Sequence, residues 1–316
     1  MLENVFEFDL RPIPPFNFEL TVQKPAGWSL FNAGEILDGN TFWTATRIDG
    51  IVAGIKMVSK GTVDRPRLHL TVYTSVKIPQ KKKGEIPGYL AKMIGADQDL
   101  REFYEMAAKD EILKHTIEDL YGMHDTQTPY LYNSVVLGIC LQMARLDRSM
   151  GMIESINRNY GDRVEFDGIE LTVEPSAENI SVLKEKEFAE KCKLGYRAKF
   201  LINSAKMIAN GFPSSDEILS MPPIEAKKKL MELPGIGDYA SDIINPHGGF
   251  PIDAWSVDVF GMLFFGKEPK NAREMIEKVK RKGIKKWGSW AWMGFFYVAQ
   301  DLENLSKRLG IKLRQM

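Results

Sequence analysis

The most informative segment of this 316-residue chain reads Leu230-Met231-Glu232-Leu233-Pro234-Gly235-Ile236-Gly237-Asp238-Tyr239-Ala240. A helical run from Ile224 to Met231 enters the Pro-Gly-Ile-Gly turn, and a second helix is expected to follow. Gly235 and Gly237 have no Cβ, so their backbone can take positive φ and approach another chain closely. Free N–H groups at the positive end of the second helix suit a phosphate. The segment predicts a helix-hairpin-helix that binds the DNA backbone, and a glycine-rich turn without a ligand is the alternative.

An acidic residue follows the hairpin in the segment Phe250-Pro251-Ile252-Asp253-Ala254-Trp255. Pro251 precedes a helical run, so Asp253 is expected near a helix start, where the dipole stabilises a carboxylate. An ordinary helix cap is the other interpretation of this aspartate. Asp258, five residues later, is a second acid in the same helix and remains the alternate.

The first 75 or so residues alternate apolar and polar side chains, as β-strands do. The predicted strands are Phe16 to Val22, Thr41 to Ile48, Ile51 to Ile55 and Leu68 to Tyr73, with a hairpin turn at Asp49-Gly50. From about residue 88 the pattern is helical. The predicted fold class is therefore α+β: an antiparallel sheet domain over residues 1–95, then a large all-α domain over residues 96–316 that could form two helical subdomains.

The helical part contains several separate helices and one polar interruption, Val164 to Pro175. The predicted helices are Leu100 to Tyr121, Tyr130 to Leu146, Met150 to Tyr160, Arg197 to Asn210, Asp253 to Phe265, Asn271 to Lys282 and Trp290 to Leu309.

Composition excludes several classes of protein. The chain has 42 basic and 42 acidic residues, which argues against a strongly basic packaging protein. Two cysteines and four histidines without ligand spacing predict no metal site. The absence of a long apolar run and of a signal-peptide pattern predicts a cytoplasmic protein without a membrane partner, associated with the nucleoid when it is bound to DNA. Residues 270–316 carry 12 basic and 4 acidic residues, a net charge of +8 that favours contact with DNA phosphates.

The hairpin followed by Pro251-x-Asp253 resembles the HhH-GPD superfamily of base-excision DNA glycosylases. Three further segments resemble its 8-oxoguanine glycosylases: Lys193 to Phe200, like their G-Y-R-A segment, Gly39 to Trp43, like a strand of their sheet domain, and Trp287 to Ala291 near the C-terminus. The 3-methyladenine (AlkA-type) glycosylases share the architecture. The resemblance spans most of the chain.

The resemblance implies a role for each matching position. Asp253 would be the catalytic carboxylate, which stabilises positive charge on the deoxyribose. The residues implied to contact DNA or the flipped base are Gly235 and Gly237 (phosphate), Tyr196 (wedge), Arg197 (opposite base), Gln142 (lesion strand), Tyr239, Trp255 and Phe295. No cofactor is implied, although a monovalent cation at the hairpin is possible. The partner would be double-stranded DNA, bound by a monomer.

Two departures from the family pattern bear on the reaction and the lesion. Tyr239 stands where 8-oxoguanine glycosylases with lyase activity carry a Schiff-base lysine, which predicts a monofunctional enzyme that uses water. The register from Trp287 places Phe295 and Ala299 where relatives carry a glutamine and a phenylalanine that grip 8-oxoguanine. The glutamine match therefore fails, and the phenylalanine is missing or shifted to Phe296 or Tyr297. The aromatic cluster Trp290, Trp292, Phe295, Phe296 and Tyr297 would suit an electron-poor alkylated purine, although several of these rings must simply be core.

Two other functions remain open at this point. A bifunctional glycosylase/lyase would need a lysine from elsewhere in the chain. A non-catalytic DNA clamp would need no acid after the hairpin. The identity of the lesion, among oxidised, alkylated and deaminated bases, is not predicted.

Overall fold

The computed structural model describes residues 1–26, 35–48, 50–127, 130–245, 247–267 and 271–315, without the side chains of residues 272 and 273. The strands are β1 (Asn4–Leu10), β2 (Ile36–Asp38), β3 (Thr41–Ile48), β4 (Ile51–Ser59), β5 (Leu68–Thr74), β6 (Asp162–Phe166) and β7 (Ile169–Val173). The helices of the first half are α1 (Phe18–Val22), α2 (Gln80–Met93), α3 (Arg101–Ala107), α4 (Leu113–Asp119), α5 (Leu131–Cys140) and α6 (Leu146–Tyr160). Those of the second half are α7 (Ala177–Ser181), α8 (Glu185–Lys191), α9 (Arg197–Ala209), α10 (Ser215–Ser220), α11 (Pro223–Leu230), α12 (Asp238–Ile244), α13 (Ser256–Phe265), α14 (Ala272–Trp287), α15 (Ala291–Gln300) and α16 (Leu302–Leu309), with a 3-10 turn at Gly288–Trp290.

The N-terminal sheet has the strand order β1-β5-β4-β3-β2, and every neighbouring pair is antiparallel. Ile48 pairs with Ile51, the register that a two-residue turn requires. Gly50 has φ +76°, and Asp49 lies outside the described residues. The predicted α+β class, a sheet followed by a mostly helical region, is confirmed.

One local prediction is wrong, and one polar stretch contains strands that were not predicted. The segment from Phe16 to Val22 ends in a short helix, α1, because the Asn17 side chain accepts the N–H of Leu20 at 3.1 Å and caps it. The polar stretch from Val164 contains the hairpin β6–β7, whose turn residue Gly168 has φ +78°. The residues of β6 and β7 alternate between buried and more exposed positions, as strands do, but each strand is only five residues long and lies within a mostly helical region.

Several predicted helices are divided or shortened. The run from Leu100 to Tyr121 splits into α3 and α4 because Asp110 caps the second helix. Asp110 Oδ1 accepts the N–H groups of Ile112 and Leu113 at 2.9 and 3.0 Å. The C-terminal run also divides, between α15 and α16 at Asp301, but no side chain caps the second helix there.

The helices pack into two hydrophobic clusters. One cluster contains side chains from α3, α4 and α13–α16. The other contains side chains from all the helices from α5 through α12. The sheet packs one face on α1 and α2, and its other face receives the β6–β7 hairpin. Phe166 of that hairpin lies directly over Gly54, where any Cβ would overlap the ring. In the part of the chain that is described, we find no helix with the length and apolar character of a membrane span.

Candidate active site

The hairpin between α11 and α12 has the predicted positive φ at Gly235, whereas Gly237 is extended, with φ −101°. Gly235 has φ +84°, and a Cβ there would lie 2.7 Å from the ring of Phe200, so both conformation and space require glycine. Ile236 is buried in the helical cluster. Gly237 is exposed, with open space around its Cα. Among the described residues, no acceptor takes its main-chain N–H, so this amide is available to a ligand.

Two side chains hold the hairpin from behind. Gln142 donates its Nε2–H to the carbonyl of Gly235 at 2.6 Å. Ser204 donates its hydroxyl to the carbonyl of Pro234 at 3.0 Å. Gln142 therefore lies at the hairpin, but it follows the end of α5 and is not on that helix, contrary to the sequence prediction. This contact ties the loop after α5 to the turn.

The carboxylate of Asp253 is fixed through one oxygen. Asp253 Oδ1 accepts the N–H of Trp255 at 3.0 Å and both the N–H and the hydroxyl of Ser256 at 2.8 Å. All of these donors lie at the start of α13, so Asp253 does form the ordinary helix cap that was the other interpretation of its sequence. Among the described residues, no hydrogen bond goes to Oδ2. The cap therefore orients a carboxylate and leaves one oxygen open.

Tyr239, on α12, lies near enough to this carboxylate to be affected by its charge. The pKa of Tyr239 is raised, first by burial and then by the negative charge of Asp253, so the phenol remains protonated. Ile243 lies one turn further along α12, on the same helix face, and lines a large cavity. α12 thus presents one side chain to Asp253 and the next to the cavity.

Four charged side chains lock α11, α12 and α14 together. Lys227 bridges Asp238 and Asp242 at 2.6 and 2.7 Å, and Lys280 contacts the same two carboxylates. Asp242 is buried, and Lys280 is nearly so. Lys227 and Lys280 are therefore both engaged in ion pairs with α12.

At the start of α9, the position of Tyr196 fits the role that the resemblance implies, whereas the side chain of Arg197 is buried. Tyr196 is exposed, as a wedge must be. Arg197 is only 4 % exposed and donates to the carbonyls of Ile139 and Gln142. Its guanidinium also lies 4.7 Å from the ring of Tyr196. In this conformation Arg197 supports the wedge and the loop after α5, so contact with the opposite base stays a prediction that requires these bonds to open.

Met143 is a candidate that the sequence analysis missed. It directly follows Gln142, is 87 % exposed and has φ +49°, a left-handed conformation that is uncommon for a side chain of this size. Apolar side chains held out from a DNA-binding surface are used as wedges between base steps. The backbone conformation that presents Met143 has no sequence signal.

Three further predicted positions are placed by the structure. Asp258 contacts Arg314, which makes it an ion-paired residue of α13. Trp255 donates its indole N–H to the carbonyl of Gln315 at 3.0 Å and its main-chain N–H to Asp253. The predicted contact of Phe295 with the flipped base does not fit its position. Phe295 is buried in the core against Phe250 and Phe260, at ring-centre distances of 5.8 and 5.4 Å, and is not among the residues that line the cavity.

The cavity, of about 720 Å³, lies between the sheet with α2 on one side and the helices on the other. Three of the five predicted aromatic side chains line it, namely Trp290, Trp292 and Phe296. Tyr297 belongs to the core and donates to the carbonyl of Met123 at 2.7 Å. A volume of this size accommodates a small organic molecule such as a nucleobase.

The basic run of α14 is only partly available to DNA. Lys280 is used in the network described above, and Lys286 pairs with Asp110 at 2.7 Å. The others remain exposed: Lys278, Arg281, Lys282 and Lys285. The net charge of this region therefore overstates the number of cations that face solvent.

Comparisons with known proteins identify relatives, although no family model matches the chain. The chain is 26 % identical over 223 residues to a DNA-3-methyladenine glycosylase of Bacillus subtilis strain 168, covering 70 % of this chain and 73 % of the relative. It is 23 % identical over 328 aligned residues to a probable N-glycosylase/DNA lyase of Methanothermobacter thermautotrophicus, covering 96 % and 98 %. The fold matches Clostridium acetobutylicum 8-oxoguanine glycosylase/lyase in complex with double-stranded DNA with a TM-score of 0.71 and 19 % identity, over 98 % and 99 % of the two chains. The predicted resemblance to DNA glycosylases is confirmed.

Proposed function

We propose that this chain is a base-excision DNA glycosylase that flips a damaged purine out of duplex DNA and hydrolyses its N-glycosidic bond, acting as a monomer and without an organic cofactor. The observation that carries the proposal is the carboxylate of Asp253, which is fixed through Oδ1 and open at Oδ2. It follows a hairpin whose exposed turn offers the Gly237 amide to a DNA phosphate.

The chemistry needs a fixed negative charge at this place. Cleavage of the glycosidic bond builds positive charge on the deoxyribose, and a positioned carboxylate stabilises that charge and orients the attacking water. The base must first leave the stack. In our proposal the cavity receives it, while Tyr196 and Met143 occupy the gap in the duplex.

Water is proposed as the nucleophile because the hairpin carries no lysine and the two lysines paired with α12 are held by carboxylates. No lysine lies between Gly237 and Pro251. Tyr239 has no amine, and Lys227 and Lys280 are held by two carboxylates each. The name of the Methanothermobacter relative includes a lyase activity, so a bifunctional reaction is the second candidate.

The test measures alkali-dependent breaks in end-labelled duplexes that each carry one lesion: 8-oxoguanine, 7-methylguanine, 3-methyladenine, hypoxanthine or uracil. We expect breaks only after hot alkali, because hydrolysis leaves an abasic site. Asp253→Asn is expected to lower the single-turnover rate about 10²–10³-fold, since it removes the charge that stabilises the transition state.

Asp258→Asn is the matched control, since Asp258 lies on the same helix and pairs with Arg314. It should keep the wild-type rate. Breaks without alkali, together with borohydride trapping of a covalent complex, would establish the lyase reaction. Tight DNA binding without release of any base would show a non-catalytic clamp.

A further inference from the structure

Three residues that line the cavity carry buried oxygen atoms that lack hydrogen-bond partners. Asp125 Oδ1, Thr126 Oγ1 and Gln98 Oε1 are all buried and unpaired, and all three residues line the cavity. A buried polar group without a partner destabilises the protein unless a ligand supplies that partner. Other unpaired atoms occur in the described residues, such as Asp301 Oδ2, but Asp301 does not line the cavity. Three such atoms among the residues that line the cavity indicate a binding surface, which we call the wall.

The orientation of these atoms is fixed by their neighbours. Gln98 donates its Nε2–H to the main-chain carbonyl of Asp125 at 3.0 Å, which leaves its Oε1 as the free atom. Trp292 donates its indole N–H to Asp125 Oδ2 at 2.7 Å. The wall therefore offers two acceptor-only oxygens, on Asp125 and Gln98, and one hydroxyl that can donate or accept.

A buried lysine lies behind this wall. The ammonium of Lys24 donates to the carbonyl of Thr21 and lies 5.9 Å from the ring centre of Phe296. Burial raises the pKa of Asp125 to about 6, an effect opposed by the Trp292 hydrogen bond and the charge of Lys24. At neutral pH Asp125 is thus mostly a carboxylate, able to accept hydrogen bonds from a ligand.

The two purine families differ in what they present to such a wall. The pairing edge of a guanine-type base carries two N–H donors and one carbonyl acceptor, whereas an adenine-type edge carries one amino donor and one ring acceptor. Enzymes that flip bases read this edge by hydrogen bonds and stack the ring on aromatic side chains. Two acceptors and one hydroxyl complement the guanine-type edge, and the partly exposed ring of Trp292 supplies the stacking surface.

We propose that Asp125 is a specificity-determining residue that selects guanine-derived lesions over adenine-derived ones by accepting the N–H groups of the flipped base. This inference rests on the glycosylase function proposed above. An adenine-type base would place a ring nitrogen against the oxygens of Asp125 or Gln98 and leave an acceptor unpaired, which is the more costly error in a buried site.

The test compares single-turnover excision from matched duplexes that carry 7-methylguanine or 3-methyladenine, and 8-oxoguanine or 8-oxoadenine. We expect the guanine-derived member of the better pair to be released at least ~10-fold faster by the wild type. Asp125→Asn should slow that release about 10- to 100-fold, because the amide presents a donor to a donor edge. Thr126→Val, which removes only the hydroxyl, should slow it less.

Two controls separate specificity from folding. Asp301→Asn alters another buried carboxylate with an unpaired oxygen, outside the cavity, and should leave the rates unchanged. Binding to a duplex with a tetrahydrofuran site, which has no base, should be unaffected by Asp125→Asn.

Each outcome bears on one proposal. A preference for adenine-derived lesions, or a guanine preference that survives in Asp125→Asn and Thr126→Val, would overturn the role of Asp125 while the glycosylase function stands. Failure of the wild type to release any base would instead reject the proposed function, and this inference with it.

Discussion

Two clusters in this protein are built from the same three residue types and differ in what they leave unsatisfied. In the first, Asp110 accepts the indole N–H of Trp287 at 3.1 Å and the ammonium of Lys286 at 2.7 Å, while its other oxygen caps α4. In the second, Asp125 accepts the indole N–H of Trp292, and its other oxygen has no partner. The lysine of this second cluster is Lys24, whose charge acts on Asp125. We call these the closed and the open cluster.

The pKa values of the two carboxyl groups follow from this difference. Asp110 and Asp125 are similarly hidden from solvent, at 8 % and 6 % exposure. Burial raises the pKa in both cases, but the hydrogen bonds from Lys286, main-chain amides and Trp287 reverse the effect at Asp110, whose pKa is lowered. At Asp125 burial dominates, and the pKa rises to about 6. The closed cluster stabilises the fold, and the open one is free to bind.

The largest expected difference between the clusters is in stability. Asp110→Asn should lower the free energy of unfolding by about 2–4 kcal/mol, since it leaves Lys286 without its buried partner and weakens the cap of α4. Asp125→Asn should keep or raise the stability, because it removes a buried charge that is poorly compensated. Urea unfolding at pH 7.5 measures both values. Equal losses would mean that the open cluster is structural as well.

The second difference is in how stability depends on pH. We expect the stability of the wild type relative to Asp125→Asn to change by about 2 kcal/mol. The unfolded carboxyl of Asp125 ionises near pH 4, whereas the folded one keeps its proton until about pH 6. The folded state therefore binds the extra proton, and wild-type stability falls relative to Asp125→Asn as the pH rises from 4 to 6. Asp110 has the opposite sign, because its lowered pKa gives stability that is lost as the pH falls below about 4.

Urea titrations of wild type and both variants at pH 4.5 and 6.5 check the second prediction. In this window the advantage of Asp125→Asn over the wild type should grow with pH, while the deficit of Asp110→Asn should already be nearly complete. A constant gap for Asp125→Asn would show that Asp125 is ionised throughout and lacks the perturbed environment described here.

The parts that the sequence predicts are those with strong local signals. The hairpin was predictable because the left-handed backbone at Gly235 admits little besides glycine. Asp253 was predictable because a proline and an acid before an apolar run mark a helix start. The sheet followed from alternation and from a two-residue turn. Each of these signals lies within a few residues of the feature that it specifies.

The base-reading wall was not predictable because its atoms come together only in the folded chain. Asp125 and Gln98 lie on separate loops, and Trp292 arrives from α15, 167 residues beyond Asp125. The register estimate failed at Phe295 for the same reason, since only packing decides which face of α15 meets the core. The exposure of Met143 depends on a left-handed residue without a glycine signal.

The smallest expected difference concerns the two tryptophans. Trp292→Phe keeps an aromatic ring but removes the N–H that orients Asp125 Oδ2, so we expect about a 10-fold slower release of the preferred base, equivalent to about 1.4 kcal/mol. Trp287→Phe removes the matching N–H of the closed cluster, and it should destabilise the fold without changing the rate per folded molecule. Single-turnover rates, with the folded fraction measured by urea unfolding, compare the two. An equal loss of rate in both variants would mean that the tryptophan acts through stability alone, and the distinction between an open and a closed cluster would then fail.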